Sequence, residues 1–361
     1  MVKILHTADL HLAPDAEERI AALETVLSKA EQKEVDLVTI GGDLFDSELA
    51  AEQLRETLRE TFSDRPYSIL TIPGNHDVAA YQSNLFFGDS FLPATDSPFG
   101  FFEIKDTRIT TLPYTSQATE ELLISLRDRE PFDGTECLLL HCSLEAPITR
   151  NIGDEDERRD VPVKKEELAE LGFDYYLGGH YHSPHRTTLS NGGTFLYPGT
   201  PASVSRKETG RRRVTYIDTE DGQAVQLEAI DSFHYDSLEL RVTPATEDTV
   251  LDEIESSVAQ WETRDVSPEI TITGFTEMSE DEFADAVSNA SDDITVSNQT
   301  RTVEHILTHP LFEAFQTRLD DRNKLQSIEE RADYDIDRFQ EDVWEETLEV
   351  FADLAAEGIL S

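Results

Sequence analysis

The sequence has few cysteines and no long apolar run. Its two cysteines, Cys137 and Cys142, flank the apolar residues 138–140. This number and placement exclude a disulfide framework and a paired-CxxC zinc site, and favour two buried thiols in a reduced cytoplasm. No apolar run approaches the length that spans a bilayer, and residues 2–6 enter a strand without a charged and then apolar leader. We therefore expect a cytoplasmic protein with no membrane segment.

Basic residues are also scarce. The chain has 30 Lys and Arg against 75 Asp and Glu, which gives a formal net charge of −45. The acidic residues are spread over the whole chain and are not collected in a tail. They indicate either an acidic protein that avoids nucleic acid or a halophilic surface whose carboxylates keep the protein hydrated in high salt. We favour the second interpretation, because net charge reports on solubility and habitat rather than on fold.

Strand-like and helical patterns alternate in the first half of the chain. Apolar runs at 2–6, 35–40 and 68–72 are separated by helical patterns at 16–33 and 48–61. This alternation predicts βαβ units and a mainly parallel sheet. Short strands with turn signals follow residue 185, so we expect a sandwich with one parallel half and one more antiparallel half.

The pattern changes near residue 233. Residues 1–232 form the predicted sandwich, in which the charged stretch 150–162 is a loop, and residues 233–300 read as a small α/β module. Residues 301–361 are helical only, with a last helical pattern at 327–356. The apolar positions of this tail have two explanations: a helical hairpin packed on its own protein, or an amphipathic element that docks a partner.

Seven residues with metal-ligand side chains come where apolar runs end. They are two Asp, one Asn and four His: Asp9, His11, Asp43, Asn75, His141, His180 and His182. Side chains at the ends of parallel strands converge on one crevice. Their mixed oxygen and nitrogen atoms suit divalent cations such as Mn²⁺, Fe²⁺ or Zn²⁺. Two such cations side by side are typical of in-line attack on phosphorus.

Spacing supports a shared site. Asp9 and His11 are two positions apart, as are His180 and His182, and residues two apart in an extended segment face the same side. Asp43 follows two glycines, which allow close approach of the backbone. Its carboxylate has two oxygens and can therefore bridge two cations.

Together, the motifs D-x-H, G-D, G-N-H-D, an isolated His and G-H-x-H resemble the calcineurin-like metallophosphoesterases. The segments at 6–12, 42–46 and 197–200 (HTADLHL, GDLFD and YPGT) are similar to SbcD-type DNA repair exonucleases, relatives of the nuclease subunit of the double-strand-break repair complex. The resemblance spans about residues 1–300 and is most specific up to residue 205. It implies an α/β fold: a four-layer metallophosphoesterase β-sandwich flanked by helices, a capping domain at 233–300 that contacts DNA, and a helical C-terminal tail.

The resemblance also implies roles for individual residues. One metal would be bound by Asp9, His11, Asp43 and His182, and the other by Asp43, Asn75, His141 and His180. His76 would be the acid beside the leaving oxygen, and Asp77 would orient it. From the residues alone, Asp77 is equally well explained as a carboxylate that caps a turn.

The activity implied by the resemblance is metal-dependent DNA exonuclease or endonuclease action in DNA repair. It implies two divalent ions, with Mn the expected metal and Fe or Zn as alternatives, an SbcC-type coiled-coil ATPase partner, and a homodimer. Two other functions stay open: a phosphodiesterase or phosphatase on small nucleotides, and a non-catalytic metal-stabilised scaffold for an ATPase. The full ligand set argues against the scaffold, because structural metal sites tend to be closed and single.

A DNA-binding protein needs positive charge near the phosphates. The best candidates are grouped after the YPGT segment: Arg206, Lys207, Arg211, Arg212 and Arg213. The alternative is a solvated hairpin with salt bridges. Strand parity divides the last three arginines between two faces, so they cannot all contact one phosphate backbone.

Overall fold

The computed structural model describes residues 2–82, 86–115, 117, 119–145, 161–220, 225–262, 264–291, 294–319, 336–357 and 359. Most of the predicted loop 150–162, and the start of the predicted helix 327–356, lie outside these residues. The helices and strands follow in the order β1 (Lys3–Thr7), α1 (Glu17–Gln32), β2 (Leu37–Ile40), α2 (Glu48–Thr61), β3 (Ser68–Thr71), α3 (Val78–Gln82), β4 (Phe91–Pro93), β5 (Gly100–Ile104), β6 (Thr107–Leu112), α4 (Thr119–Arg127), β7 (Thr135–His141), β8 (Ser143–Glu145), β9 (Pro162–Lys164), α5 (Lys165–Ala169), β10 (Tyr175–Gly179), β11 (His185–Thr188), β12 (Thr194–Tyr197), β13 (Arg213–Asp218), β14 (Val225–Ala229), β15 (His234–Val242), α6 (Glu247–Trp261), β16 (Val266–Thr276), α7 (Glu280–Ser291), β17 (Thr295–Thr302), α8 (Glu304–Leu307), α9 (Pro310–Leu319) and α10 (Ile336–Ala356).

Two six-stranded sheets dominate the first part of the chain, in the orders β14-β13-β1-β2-β3-β4 and β11-β12-β10-β7-β6-β5. Each sheet has a parallel block, formed by β1 to β4 in the first and by β12, β10, β7 and β6 in the second. Antiparallel strands flank these blocks. The predicted division into one parallel and one more antiparallel half is therefore wrong: hairpin strands extend both sheets.

The central strands are buried along nearly their whole length, and successive side chains point to opposite faces of a sheet, so both faces must be covered. Ile4 of β1 lies between the sheets with Leu139 and Leu177 of the second sheet. Leu5 faces outward and packs under α1 and α2. On the far side, α4 and α5 cover the second sheet, where Leu168 is buried. The order helix, sheet, sheet, helix is the predicted four-layer α/β sandwich.

The helices that cover the first sheet follow from their sequences. Leu23, Val26 and Leu27 recur at helical spacing and form the buried stripe of α1. At the start of α2, the Ser47 side chain accepts a hydrogen bond from the Ala50 backbone N–H at 3.2 Å, which caps the helix. These helices begin just after two of the candidate ligand segments.

The chain divides into two compact units, residues 1–235 with 264–267 and residues 236–263 with 268–361. In the second unit, β15, β16 and β17 form a three-stranded sheet. Phe312 and Leu348 are fully buried in one apolar cluster with Phe275. The described C-terminal helices therefore pack on their own unit. The three-domain division at residues 232 and 300 stays a prediction. No helix in the described ranges is both long and apolar enough to cross a membrane.

One charged cluster stabilises the start of the second sheet's central strands. Glu136 accepts hydrogen bonds from Arg108 Nη2 at 2.6 Å and from Arg129 Nη2 at 3.0 Å. The side chains of Glu136 and Arg108 are only 14% and 5% exposed. Burial alone would raise the pKa of Glu136, but the two guanidinium groups hold it below its ordinary value.

Glu136→Gln should lower the free energy of unfolding at pH 7 by about 3 kcal/mol, because it leaves two largely buried guanidinium groups without their carboxylate. Since the folded-state pKa of Glu136 is depressed, this contribution is complete above the ordinary Glu pKa of about 4.3 and is lost as the pH falls through the folded-state value. Urea unfolding of both proteins at pH 7 and at lower pH measures the difference. As a control, Glu170→Gln breaks an exposed pair with Arg127 and should cost under about 0.5 kcal/mol. Equal stability of wild type and Glu136→Gln at pH 7 would contradict this expectation.

Candidate metal centre

The candidate ligands lie where the parallel strands of both sheets end. β1 and β2 lead to Asp9 and Asp43, and β10 leads to His180. At this point the sheets come together closely: a Cβ on Gly179 would lie only 2.0 Å from the carbonyl oxygen of Gly41. A side chain there would push the sheets apart, so glycine allows the two rows of strand ends to form one site.

Three residues form the first donor set, around the ring of His11. Ligand atoms of Asp9, His11 and His182 all lie within 4.8 Å of one another. The Nε2 atoms of His11 and His182 are 3.2 Å apart. The carboxylate of Asp9 also accepts a hydrogen bond from the His180 backbone N–H at 2.9 Å, which fixes its orientation.

The second donor set surrounds the amide oxygen of Asn75. This oxygen lies 2.8 Å from His141 Nε2 and 3.3 Å from His180 Nδ1. His141 donates from Nδ1 to the carbonyl of Gly41 at 2.8 Å. That bond directs the other ring nitrogen of His141 toward the site.

Asp43 lies between the two sets. Its Oδ2 is 3.3 Å from His141 Nε2 and 4.0 Å from His11 Nε2. Its Oδ1 accepts the backbone N–H of His76 at 2.9 Å. A Cβ on Gly74 would lie 2.1 Å from this oxygen, so the GNHD segment needs glycine for the carboxylate to fit. Asp43 is thus placed to contact both sites.

Backbone strain is concentrated at these residues. In the described part of the chain, eight non-glycine residues have a positive φ, and four of them are Asp9, His11, Asp43 and His180. Such conformations cost about 1–3 kcal/mol each and persist where the surrounding structure enforces them.

The protonation of the site suits cation binding. Burial lowers the pKa of both His11 and His180 to about 3, so their rings are neutral at pH 7. Burial alone would raise the pKa of Asp43, but the nearby His141 holds it well below its usual range. Burial alone would lower the pKa of His141, yet Asp43 raises it to about 9. A cation bound at Asp43 would displace this proton.

The spacing of the donors tests whether the residues fit divalent cations. Two neighbouring ligand atoms that are each about 2.1 Å from one cation lie about 3.0 Å apart in octahedral coordination and about 3.4 Å apart in tetrahedral coordination. Donor atoms lie 2.8 Å apart at Asn75 and His141, 3.2 Å apart at His11 and His182, and 3.3 Å apart at Asp43 and His141, close to these values. The donor atoms of Asp43 and His11 are farther apart, at 4.0 Å. The donors combine neutral rings, carboxylates and an amide oxygen, which suits Mn²⁺, Fe²⁺ or Zn²⁺. The residues therefore fit two cations with Asp43 shared between them.

His76 and Asp77 have different surroundings. The His76 ring is exposed and packs edge-on against His11, with 4.9 Å between ring centroids. Ligand atoms of His11, Asp43 and His76 also lie within 4.8 Å of one another. Asp77 is buried and accepts the backbone N–H groups of Gly74 at 2.8 Å and Phe45 at 3.2 Å. These contacts match the turn-capping explanation of Asp77.

The five basic residues do not form one surface. Arg206, Lys207, Arg211 and Arg213 are exposed, and Arg211 pairs with Asp231. Arg212 is only 3% exposed, and its guanidinium donates to the His182 carbonyl at 2.6 Å. Because this charge is used inside the protein, we withdraw Arg212 from the predicted DNA contacts.

Glu208 is a residue of the site that the sequence patterns did not reveal. This buried carboxylate accepts a hydrogen bond from His182 Nδ1 at 2.9 Å. Burial alone would raise the pKa of Glu208, but the bonds from His182 and from the loop lower it to about 2. Glu208 stands among polar residues and follows no apolar run, so its sequence context carries no signal of a site. The tertiary structure alone brings it to His182.

A four-layer α/β sandwich with this donor cluster at its strand ends defines a metal-dependent hydrolase of phosphoesters. The chain belongs to the calcineurin-like phosphoesterase family, whose model matches residues 2–184. Members of this family typically bind two divalent metals, in agreement with the two donor sets.

Individual relatives are more distant. The chain is 22% identical over 292 residues to the SbcD subunit of the SbcCD nuclease from Staphylococcus epidermidis, an alignment that covers 67% of this chain and 75% of that protein. Among solved structures, it is similar to GAP50, the anchor in the inner membrane complex of Plasmodium (TM-score 0.40, 11% identity, 64% of this chain and 89% of that one). It is also similar to a dimetal phosphatase from Danio rerio (TM-score 0.40, 12% identity, 63% and 96%). At this TM-score the two structures support no conclusion about function.

Proposed function

We propose that the protein is a metal-dependent DNA exonuclease or endonuclease that acts in DNA repair, with Mn²⁺ as its metal. The observation that carries the proposal is the pair of donor sets that share Asp43. Asp9, His11, Asp43 and His182 would bind one ion, and Asp43, Asn75, His141 and His180 the other. A site for two ions suits hydrolysis of phosphodiesters, in which attacking and leaving oxygens both need stabilisation.

The bound ions would activate water and neutralise charge on the phosphoryl oxygens. The residues of the chain then have separate tasks. Asp43 holds the two sites at a fixed separation, and its carboxylate is itself held by the His76 backbone N–H. The exposed His76 ring would donate a proton to the departing oxygen. Asp77 keeps the turn that carries His76 in its conformation, through Gly74 and Phe45.

DNA as the substrate is supported by the staphylococcal relative, whose name describes a nuclease. From the resemblance of the motifs to SbcD-type exonucleases we propose a complex with an SbcC-type coiled-coil ATPase and a homodimer. From the two buried thiols we propose a cytoplasmic location. Residues 233–300 would be the capping domain. Arg206, Lys207, Arg211 and Arg213 are the proposed DNA contacts. The net charge of −45 repels DNA, and binding through these cation–phosphate contacts should weaken as the salt concentration rises.

The test is cleavage of end-labelled linear DNA, duplex and single-stranded, by purified protein. We expect degradation with Mn²⁺, none after EDTA treatment, and recovery when Mn²⁺ is restored. The double variant Arg206→Glu with Lys207→Glu should bind DNA more weakly but hydrolyse a nitrophenyl phosphodiester at the wild-type rate. Unchanged DNA affinity would remove these two residues from the proposed contacts.

Other outcomes would replace the proposal. Hydrolysis of cyclic mononucleotides or nitrophenyl esters without any DNA cleavage would favour an enzyme of small nucleotides. Protein that binds two ions but hydrolyses no phosphoester would favour a metal-stabilised scaffold.

A further inference from the structure

The rest of the chain contacts His182 both at its ring and at its backbone carbonyl. Its ring Nδ1 donates to Glu208 Oε1 at 2.9 Å. Its backbone carbonyl accepts from Arg212 Nη2 at 2.6 Å. Glu208 and Arg212 are 7% and 3% exposed, so both partners of His182 are buried. A ligand held at both ring and backbone has little freedom to rotate.

Both oxygens of Glu208 are fixed by other donors. Oε2 accepts from Thr200 Oγ1 at 2.8 Å and from the Val204 backbone N–H at 3.0 Å. Oε1 accepts the Ser205 backbone N–H at 3.1 Å in addition to His182. Each oxygen of Glu208 therefore accepts a backbone N–H, and both positions need an acceptor. An amide has only one oxygen, so in either orientation its NH₂ would face a backbone N–H.

The state of the His182 ring follows from these bonds. When Nδ1 carries the proton that is donated to Glu208, Nε2 of the neutral ring carries the lone pair. That Nε2 is the atom 3.2 Å from His11 Nε2, in the first donor set.

We infer that Glu208 is a positioning residue of the metal centre, which fixes the tautomer and the orientation of His182 and thereby sets affinity for the first cation. The inference rests on the proposed two-metal function. Arg212 supports it from the backbone side, by contacts to His182 and Thr200. An outer carboxylate of this kind changes metal affinity by about 10–100-fold when it is removed.

The experiment is calorimetric titration of Mn²⁺ into the whole chain. Glu208→Gln keeps the shape of the side chain, and it should weaken one of two Mn²⁺ sites about 10–100-fold while the other keeps its affinity. In a His182→Ala background, adding Glu208→Gln should cause no further loss, because Glu208 acts through that ring. The matched control is Glu228→Gln, whose carboxylate pairs with Lys29 and Lys33, and it should titrate like wild type.

Three results with Glu208 variants would overturn the inference. Glu208→Gln could bind both ions like wild type, or it could lose affinity equally with and without His182, as a general structural defect would. If Glu208→Gln does not fold, Glu208→Asp keeps the charge but withdraws it from the ring, and unchanged Mn²⁺ affinity would overturn the inference. Wild-type protein that binds fewer than two ions would instead overturn the proposed function, and this inference with it.

Discussion

Replacing Asp43 with Asn should abolish cleavage of DNA and of small phosphodiesters, with at least about a thousandfold loss of rate. Asp43 is the carboxylate shared by both donor sets, with its Oδ2 at 3.3 Å from His141 and 4.0 Å from His11. An amide can offer one oxygen but neither a second oxygen nor a charge. Loss of one cation removes several kcal/mol of transition-state stabilisation, and about 1.4 kcal/mol corresponds to tenfold in rate.

Elemental analysis and Mn²⁺ titration check this prediction alongside the rate. Asp43→Asn should retain fewer than two ions per chain. Asp46→Asn is the matched control, because it lies in the same loop with a side chain that is 52% exposed, and it should keep both ions. Two tightly bound ions in Asp43→Asn would show that Asp43 does not bridge them.

The metal centre is the part of this protein that sequence describes best. Asp9 and His11, and also His180 and His182, are spaced two apart after apolar runs, and parallel strands direct such residues to one edge. The structure brings these four residues together with Asp43, as the donor distances show. Local patterns suffice here because each ligand is tied to the end of a strand that can be recognised from its own residues.

The features that the sequence did not predict depend on contacts between distant segments of the chain. Arg212 looked like its neighbours Arg211 and Arg213, yet it alone points inward, to Thr200 and His182. Strand parity predicted that the three could not share one face, but it could not say which side is buried. Likewise, the positions of β13 and β14 beside β1 depend on long-range pairing, which periodicity within a segment does not contain.

The candidate metal centre is acidic, as is the chain as a whole. Asp9 and Asp43 are both buried there, and burial raises the pKa of Asp9 to about 7. Two carboxylates in one buried pocket repel each other unless positive charge lies between them. The site therefore favours cations strongly, while the surface as a whole repels DNA. The proposed cleavage of DNA would therefore need local positive charge, which is why the exposed arginines matter to the proposal.

His76→Ala should reduce DNA cleavage by about a hundredfold to ten-thousandfold, the range for loss of a positioned acid. The contact that orients Asp43 comes from the His76 backbone N–H, at 2.9 Å, and no side-chain change removes it. Both ions should therefore stay bound. A nitrophenyl ester has a leaving group that departs without a proton, so its hydrolysis should fall far less than that of DNA.

The different effect of His76→Ala on the two substrates distinguishes a proton-donating role of His76 from a metal-binding role. The His76 ring lies near enough to His11 and Asp43 to join their donor set, and a ligand's removal would weaken metal binding and slow both substrates alike. Parallel Mn²⁺ titrations of wild type, His76→Ala and the exposed control His305→Ala distinguish the two roles. If His76→Ala loses an ion, the ring is a ligand, and protonation of the leaving oxygen must come from another group or from water.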